Sequence, residues 1–233
     1  NTVSNNGRYG IQIGNSNGNT IDGNTINNNV NNAIRVYSSD SGNSLTNNSI
    51  DGSSSSTTTD GVVLLSGDNT VSSNIISGFT GGNGRGIWID SDNNQILDNT
   101  ISSSRIGVAV WSGIKNNVIS GNTFNSNSEY ALYVSGPTNT ISENTVSSSS
   151  NNDIVISGSY ATGNIVQNNS WSNYDEPNDA CYDDNSNGFC DDPYVFSGGQ
   201  DNTSKCIICE SSPPSVPQDG EFVLPCSMQE AGD

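Results

Sequence analysis

Asn19-Thr20-Ile21-Asp22-Gly23-Asn24-Thr25-Ile26 sets two asparagines five residues apart, each followed two positions later by an isoleucine. The pattern Asn-x-(Ile/Val/Leu)-x-x-Asn-x-(Ile/Val/Phe/Trp) recurs from Asn43, Asn69, Asn94, Asn117, Asn139 and Asn164, at intervals of 22 to 26 residues. After a loop of variable length each unit adds a third apolar segment, (Gly/Ala/Asp)-h-x-h, as in Ile87/Ile89 or Leu132/Val134. A period of this size is the mark of a solenoid or array. Alternate strand side chains face opposite ways, so h-x-h turns two apolar groups inward and one residue outward. Three short strands per unit follow. Stacked at roughly 4.8 Å per strand, seven to eight coils predict a rod about 35 Å long around a column of Ile, Val and Leu.

The spaced asparagines suit the corners of such coils. Asn tolerates the left-handed backbone of sharp turns, and its amide both donates and accepts, so equivalent residues stack into a ladder that satisfies turn backbone. A polar low-complexity tract has no need to keep a five-residue offset through seven units.

Composition removes other classes. Asn, Ser, Thr and Gly number 38, 40, 16 and 25 among 233 residues, about half the chain, which disfavours helices. A net charge of −18, with 6 Lys plus Arg against 24 Asp plus Glu, argues against nucleic acid as a partner. No apolar stretch is long enough for a membrane span, and no signal-like profile opens the chain, which begins within the repeat.

Units such as Asn19–Ile26 and Asn139-Thr140-Ile141-Ser142-Glu143-Asn144-Thr145-Val146 make residues 1 to 171 resemble the right-handed parallel β-helix repeat proteins. The likeness is to the carbohydrate-binding and sugar-hydrolase type and to NosD-like repeats. It implies a right-handed, all-β parallel β-helix. It says less about function, since such helices serve as lyases, hydrolases, adhesins, phage spikes and surface-layer parts.

In the polysaccharide-active members the resemblance makes the Gly-h-x-h sheet the lining of a cleft. Its outward positions here form the ladder Gln12, Arg35, Val63, Trp88, Ala109, Tyr133 and Val155. A second ladder holds Tyr37, Leu65, Asp90 and Trp111. Tyr37, Trp88, Trp111 and Tyr133 are therefore the candidate ligand or partner face, suited to sugar rings, to a protein contact or to cover by the C-terminal segment. With no His in the chain, a Ser-His-Asp triad and a His base are absent. Arg85, Asp90, Asp92, Asp98 and Arg105 are read as a charged, solvated turn, and no catalytic residue is assigned. Outward Thr and Ser also recur, as in ice-binding solenoids, but Ile75, Gln95 and Val118 interrupt them.

After Trp171 the repeat stops. Thirteen of the 24 acids, all five Cys and six of the seven Pro fall in residues 172–233, read as a separate acidic C-terminal cap. Solenoids need capped ends because the last coil exposes unpaired strand edges. Within this segment Asp183, Asn185, Asn187, Phe189 through its carbonyl, and Asp191 or Asp192 are spaced as calcium ligands around Gly188. The loop resembles those of the EF-hand, dockerin and thrombospondin type-3 kind, although Tyr194 stands where an EF-hand has Glu.

A Cys181–Cys190 disulfide would brace that loop, as expected outside the cytoplasm. Cys206, Cys209 and Cys226 permit one more bridge and leave a cysteine over. Asn47, Asn168 and Asn202 open glycosylation signals. The sequence thus predicts an extracellular or cell-surface structural protein: a surface-layer, adhesin or filament subunit whose partners are copies of itself or another surface protein. Its rival is a polysaccharide-binding or polysaccharide-cleaving module.

Overall fold

The computed structural model describes residues 1–52, 60–147, 152–159, 161–171, 189–190 and 194–204. Their chain coils into three seven-stranded parallel sheets. The first sheet runs in order through Ile11–Ile13, Asn32–Val36, Asp60–Leu64, Arg85–Ile89, Ile106–Val110, Tyr130–Val134 and Asn152–Ile156. Three-residue strands build the other two, one from Thr20–Asp22 to Ile165–Gln167 and one from Thr2–Ser4 to Thr145–Ser147. Every strand pairs in register with its equivalent one coil away, as in Ile21 with Leu45 and Ile26 with Ile50.

The spacing of the apolar residues explains this closure. Ile34, Val62, Ile87, Val108, Leu132 and Ile154 stack on one another inside the first sheet and are fully buried. The two shorter sheets each contribute one inward residue per strand, such as Val71 and Ile76. Phe79 and Phe124 fill the extra space where the chain carries Gly52, Gly61 and Gly107. At Gly86 a Cβ would sit 2.5 Å from the Ile101 Cγ2 and 2.7 Å from the Gly107 carbonyl oxygen, so only Gly fits without a shift.

The corners are built as the asparagine spacing predicts. The residue before each repeat asparagine is left-handed: Gly18, Gly42, Asp68, Asn93, Asn116, Thr138 and Gly163 before the first, and Gly23, Asn47, Ser73, Asp98, Gly121, Glu143 and Asn168 before the second. Such a conformation is unfavourable for Ser, Thr or Glu, and the asparagine beside it offsets the cost. Asn74, for example, accepts from both the backbone N–H and the amide of Asn48 (2.9 Å each), while its own amide donates to the Leu45 carbonyl and to Asn99. From Asn24 to Asn169 this ladder is buried throughout.

The ladder ends on a different residue. Tyr194–Phe196 and Gly199–Asp201 pair as an antiparallel hairpin against the last coil, where Ser197 bridges Val155. Trp171, fully buried, closes the apolar column and stacks on Tyr194 with ring centroids 5.1 Å apart. Among the described residues no helix is long and apolar enough to cross a membrane.

Candidate ligand-binding face

From Asn32–Val36 onward the first sheet has five-residue strands, each led by a residue immediately before Ala33, Gly61, Gly86, Gly107, Ala131 or Asp153. These leading residues form a third ladder, Asn32, Asp60, Arg85, Ile106, Tyr130 and Asn152, in register. Beside it run the two outward ladders expected from the sequence, with Trp88 between Val63 and Ala109, and Tyr133 next to Ala109. Three adjacent ladders make this face broad enough for a groove.

Arg85 organises its centre. The guanidinium donates to both carboxylate oxygens of Asp60, Nε to Oδ1 at 2.6 Å and Nη2 to Oδ2 at 3.2 Å, and lies over the Trp88 ring at 4.0 Å from the centroid. Asn32 donates to the same carboxylate, and Arg35 donates to Asn32. Both Arg85 and Asp60 are buried. Removal from water strengthens their attraction and fixes the fork. The solvated turn expected for Arg85 is therefore incorrect at this residue, because it begins a sheet strand and meets an acid one coil away. The rest of that expected cluster disperses, with Asp92 accepting from the Lys115 backbone N–H and Asp98 standing at a left-handed corner.

Toward the C-terminal coils the groove becomes aromatic. Trp111 is 51% exposed and meets Trp88 edge to face with centroids 6.1 Å apart. Tyr130 and Tyr133 lie 5.8 Å apart, and Arg105 with Glu129 forms an ion pair at 2.6 Å along the rim. These residues enclose about 470 Å³ of open groove with Ile106 and Ala109 on its floor. The Trp88 indole N–H is buried without a partner among the described residues, a donor available to an incoming group. Asp90, in the ladder next to Trp111, has its carboxyl held above the ordinary range by burial, which the charge of Arg85 opposes.

The groove continues in the other direction past Asn83 and Arg85 into a second hollow of about 570 Å³ lined by Tyr9, Asn31, Asn32, Arg35 and Asp60. Arg8 stacks on Tyr9 at 4.8 Å, and Arg35 reaches Tyr9 and Tyr37 at 5.5 and 5.0 Å. The face thus gathers Tyr37, Trp88, Trp111 and Tyr133, as their alternation predicts, and adds Tyr9, Asp60, Arg85, Arg105 and Tyr130. The signal for Asp60, Arg85 and Tyr130 is a bulky or charged side chain directly before a repeat Gly or Ala, at the end of the variable loop.

The family model described as periplasmic copper-binding protein (NosD) matches residues 1–175. The chain belongs to the NosD family. Comparison with curated proteins and with solved structures finds no match. Membership in this periplasmic family, together with the three-sheet coil, makes the chain an extracytoplasmic β-solenoid protein.

The name of the NosD family implies copper, which favours imidazole, thiolate and thioether ligands. The chain has no His, and among the described residues Cys190 is disulfide-bonded and no three His, Cys, Asp or Glu converge on one point. The described residues do not fit a copper centre. Of the expected calcium ligands only Phe189 is described, and Asp183, Asn185, Asn187, Asp191 and Asp192 lie outside the described residues. So do Cys181, Cys206, Cys209 and Cys226. Asn47 and Asn202 are exposed and Asn168 half-buried, with the Asn47 amide donating to Asp22 and that of Asn168 to Glu143.

Proposed function

We propose that this chain is an extracellular or cell-surface rod that attaches to saccharide chains through the groove of its first sheet, a structural protein of the adhesin type. The observation that carries the reading is the open groove in which Trp88, exposed Trp111, Tyr130 and Tyr133 stand beside two fixed Arg–carboxylate pairs. Aromatic faces take the apolar side of a pyranose ring, and paired guanidinium and carboxylate groups present donors and acceptors to its hydroxyls. The coil repeat of roughly 4.8 Å is close to the spacing of successive rings in an extended polysaccharide, so neighbouring coils serve as neighbouring subsites. Asp60 and Glu129 are each held by an Arg, which favours binding over bond cleavage.

The test is a panel of immobilised glycans probed with the protein, followed by titration of the best ligand against tryptophan fluorescence. Trp171, sealed in the core, gives a constant background. A saturable change that is lost in Trp111→Ala supports the proposal, and a panel without binding rejects it.

The surface-layer and filament roles rest on other features, the odd cysteine count and the acidic loop around Gly188. We propose that this loop binds calcium. Electron microscopy of unreduced native material, with and without a chelator, tests both: ordered arrays that fray on chelation favour self-assembly, and dispersed particles favour the adhesin.

A further inference from the structure

The four arginines of this strongly acidic chain, Arg8, Arg35, Arg85 and Arg105, all stand on one face. Two of them are neutralised there, Arg85 by Asp60 and Arg105 by Glu129. Arg8 and Arg35 form no ion pair among the described residues. Instead they flank Tyr9, with Arg35 also against Tyr37, and the Arg35 Nε–H is buried without an acceptor among the described residues. Both guanidiniums stack on rings and Arg35 is also tied to Asn32, which restrains their orientations at little entropic cost. The phenol of Tyr9 reports the resulting field, being held below its ordinary range by a hydrogen bond with Tyr37 and by the charges of Arg35 and Arg8.

We infer that the Arg8–Arg35 pair, with Tyr9 and Tyr37, is an anion subsite, and that the saccharide bound in the groove is an acidic one carrying carboxylates or sulfate esters. This rests on the saccharide reading above and adds the charge of the ligand. Arg35 and Trp88 lie two coils apart in one outward ladder, roughly 10 Å at the usual strand spacing. A sugar ring against Trp88 and Trp111 therefore places a ring two residues along the chain over Arg35. Two unpaired guanidinium forks at that point match the planar oxygens of a carboxylate or those of a sulfate. The net charge of −18 repels a polyanion from the rest of the chain, so attraction of an acidic ligand is confined to this arginine-bearing face.

Matched ligands test this by calorimetry on the whole chain: a polyuronate against its methyl ester, and a sulfated galactan against its desulfated form. The acidic member of at least one pair is expected to bind about tenfold or more tightly than its neutral partner, with the gap narrowing as salt rises. The pair that shows the gap identifies carboxylate or sulfate. In the double variant R8Q/R35Q, its fold checked by the buried Trp171 emission, affinity for the acidic member is expected to fall to that for the neutral one. Equal affinities in both pairs, or a preference that survives in R8Q/R35Q, overturns the anion subsite and leaves saccharide binding standing. Absence of binding to every member overturns both.

Discussion

Asp201 accepts three hydrogen bonds on one carboxylate oxygen: the backbone N–H of Asn169 at 3.1 Å, its side-chain amide at 2.9 Å, and the indole N–H of Trp171 at 3.2 Å. In every earlier coil the same two groups of the ladder residue are answered by the next asparagine, as Asn144 is by Asn169. The hairpin therefore ends the stack by imitating it. The other Asp201 oxygen accepts from the Thr203 backbone N–H, which holds the carboxylate in place.

Asp201→Ala removes the acceptor from buried donors and is expected to cost about 1.5–3 kcal/mol, the range for hydrogen bonds to a charged group. Asp201→Asn keeps an amide oxygen in the same place and loses much less. Urea denaturation with Trp171 emission checks both. Equal stability of Asp201→Ala and the parent chain contradicts the capping role.

Within the stack, Asn99→Ala withdraws the acceptor of the Asn74 N–H and amide, both buried. Unsatisfied buried donors cost about 1–3 kcal/mol each. At the half-buried first rung, Asn19→Ala leaves partners closer to water and costs less. The two variants compared in one urea series give the ranking, and a larger loss for Asn19→Ala is the contrary result.

Asp60→Ala leaves Arg85 buried with its charge uncompensated. Breaking one side of a buried pair typically costs about 3–5 kcal/mol. Trp111→Ala, by contrast, deletes a half-exposed ring and is expected to change the melting temperature little while removing the fluorescence response to ligand. Thermal melts of both separate the residue that holds the groove from the one that uses it.

Asp90 governs a small acid-side effect. Its carboxyl is raised by burial, so the folded state binds its proton more tightly than the unfolded state, where a carboxyl titrates near pH ~3.9. The favourable contribution is present below that unfolded value and is lost as pH rises through the folded one. Asp90→Asn is expected to flatten stability across this window and leave the chain no less stable at neutral pH. Melts of the two proteins across mildly acidic buffers measure it, and a steeper dependence in Asp90→Asn runs against the assignment.

The coil architecture was legible because one chemical requirement repeats: a left-handed corner needs an amide beside it, and seven asparagine pairs at a five-residue offset announce it. The h-x-h residues then had to face a core, and Ile87, Ile89, Val108 and Val110 do. Trp88 and Trp111 were placed outward by the same alternation. Asp60, Arg85 and Tyr130 were not, because each precedes the Gly or Ala at which the apolar alternation begins, whereas the strand of the first sheet starts on them. The pairing of Arg85 with Asp60 and of Arg105 with Glu129 crosses 25 and 24 residues of chain. Only the coil register brings such residues together. The Asp201 cap was hidden for a related reason, since a single aspartate outside the repeat carries no periodic signal.

The most direct test of the central claim is a crystal structure of the chain with an acidic oligosaccharide long enough to span four coils. Sugar rings are expected against Trp88 and Trp111, with an anionic substituent within hydrogen-bond distance of Arg8 and Arg35. An oligosaccharide seated on either of the other two sheets, or a first-sheet groove filled by protein and closed to ligand, contradicts it.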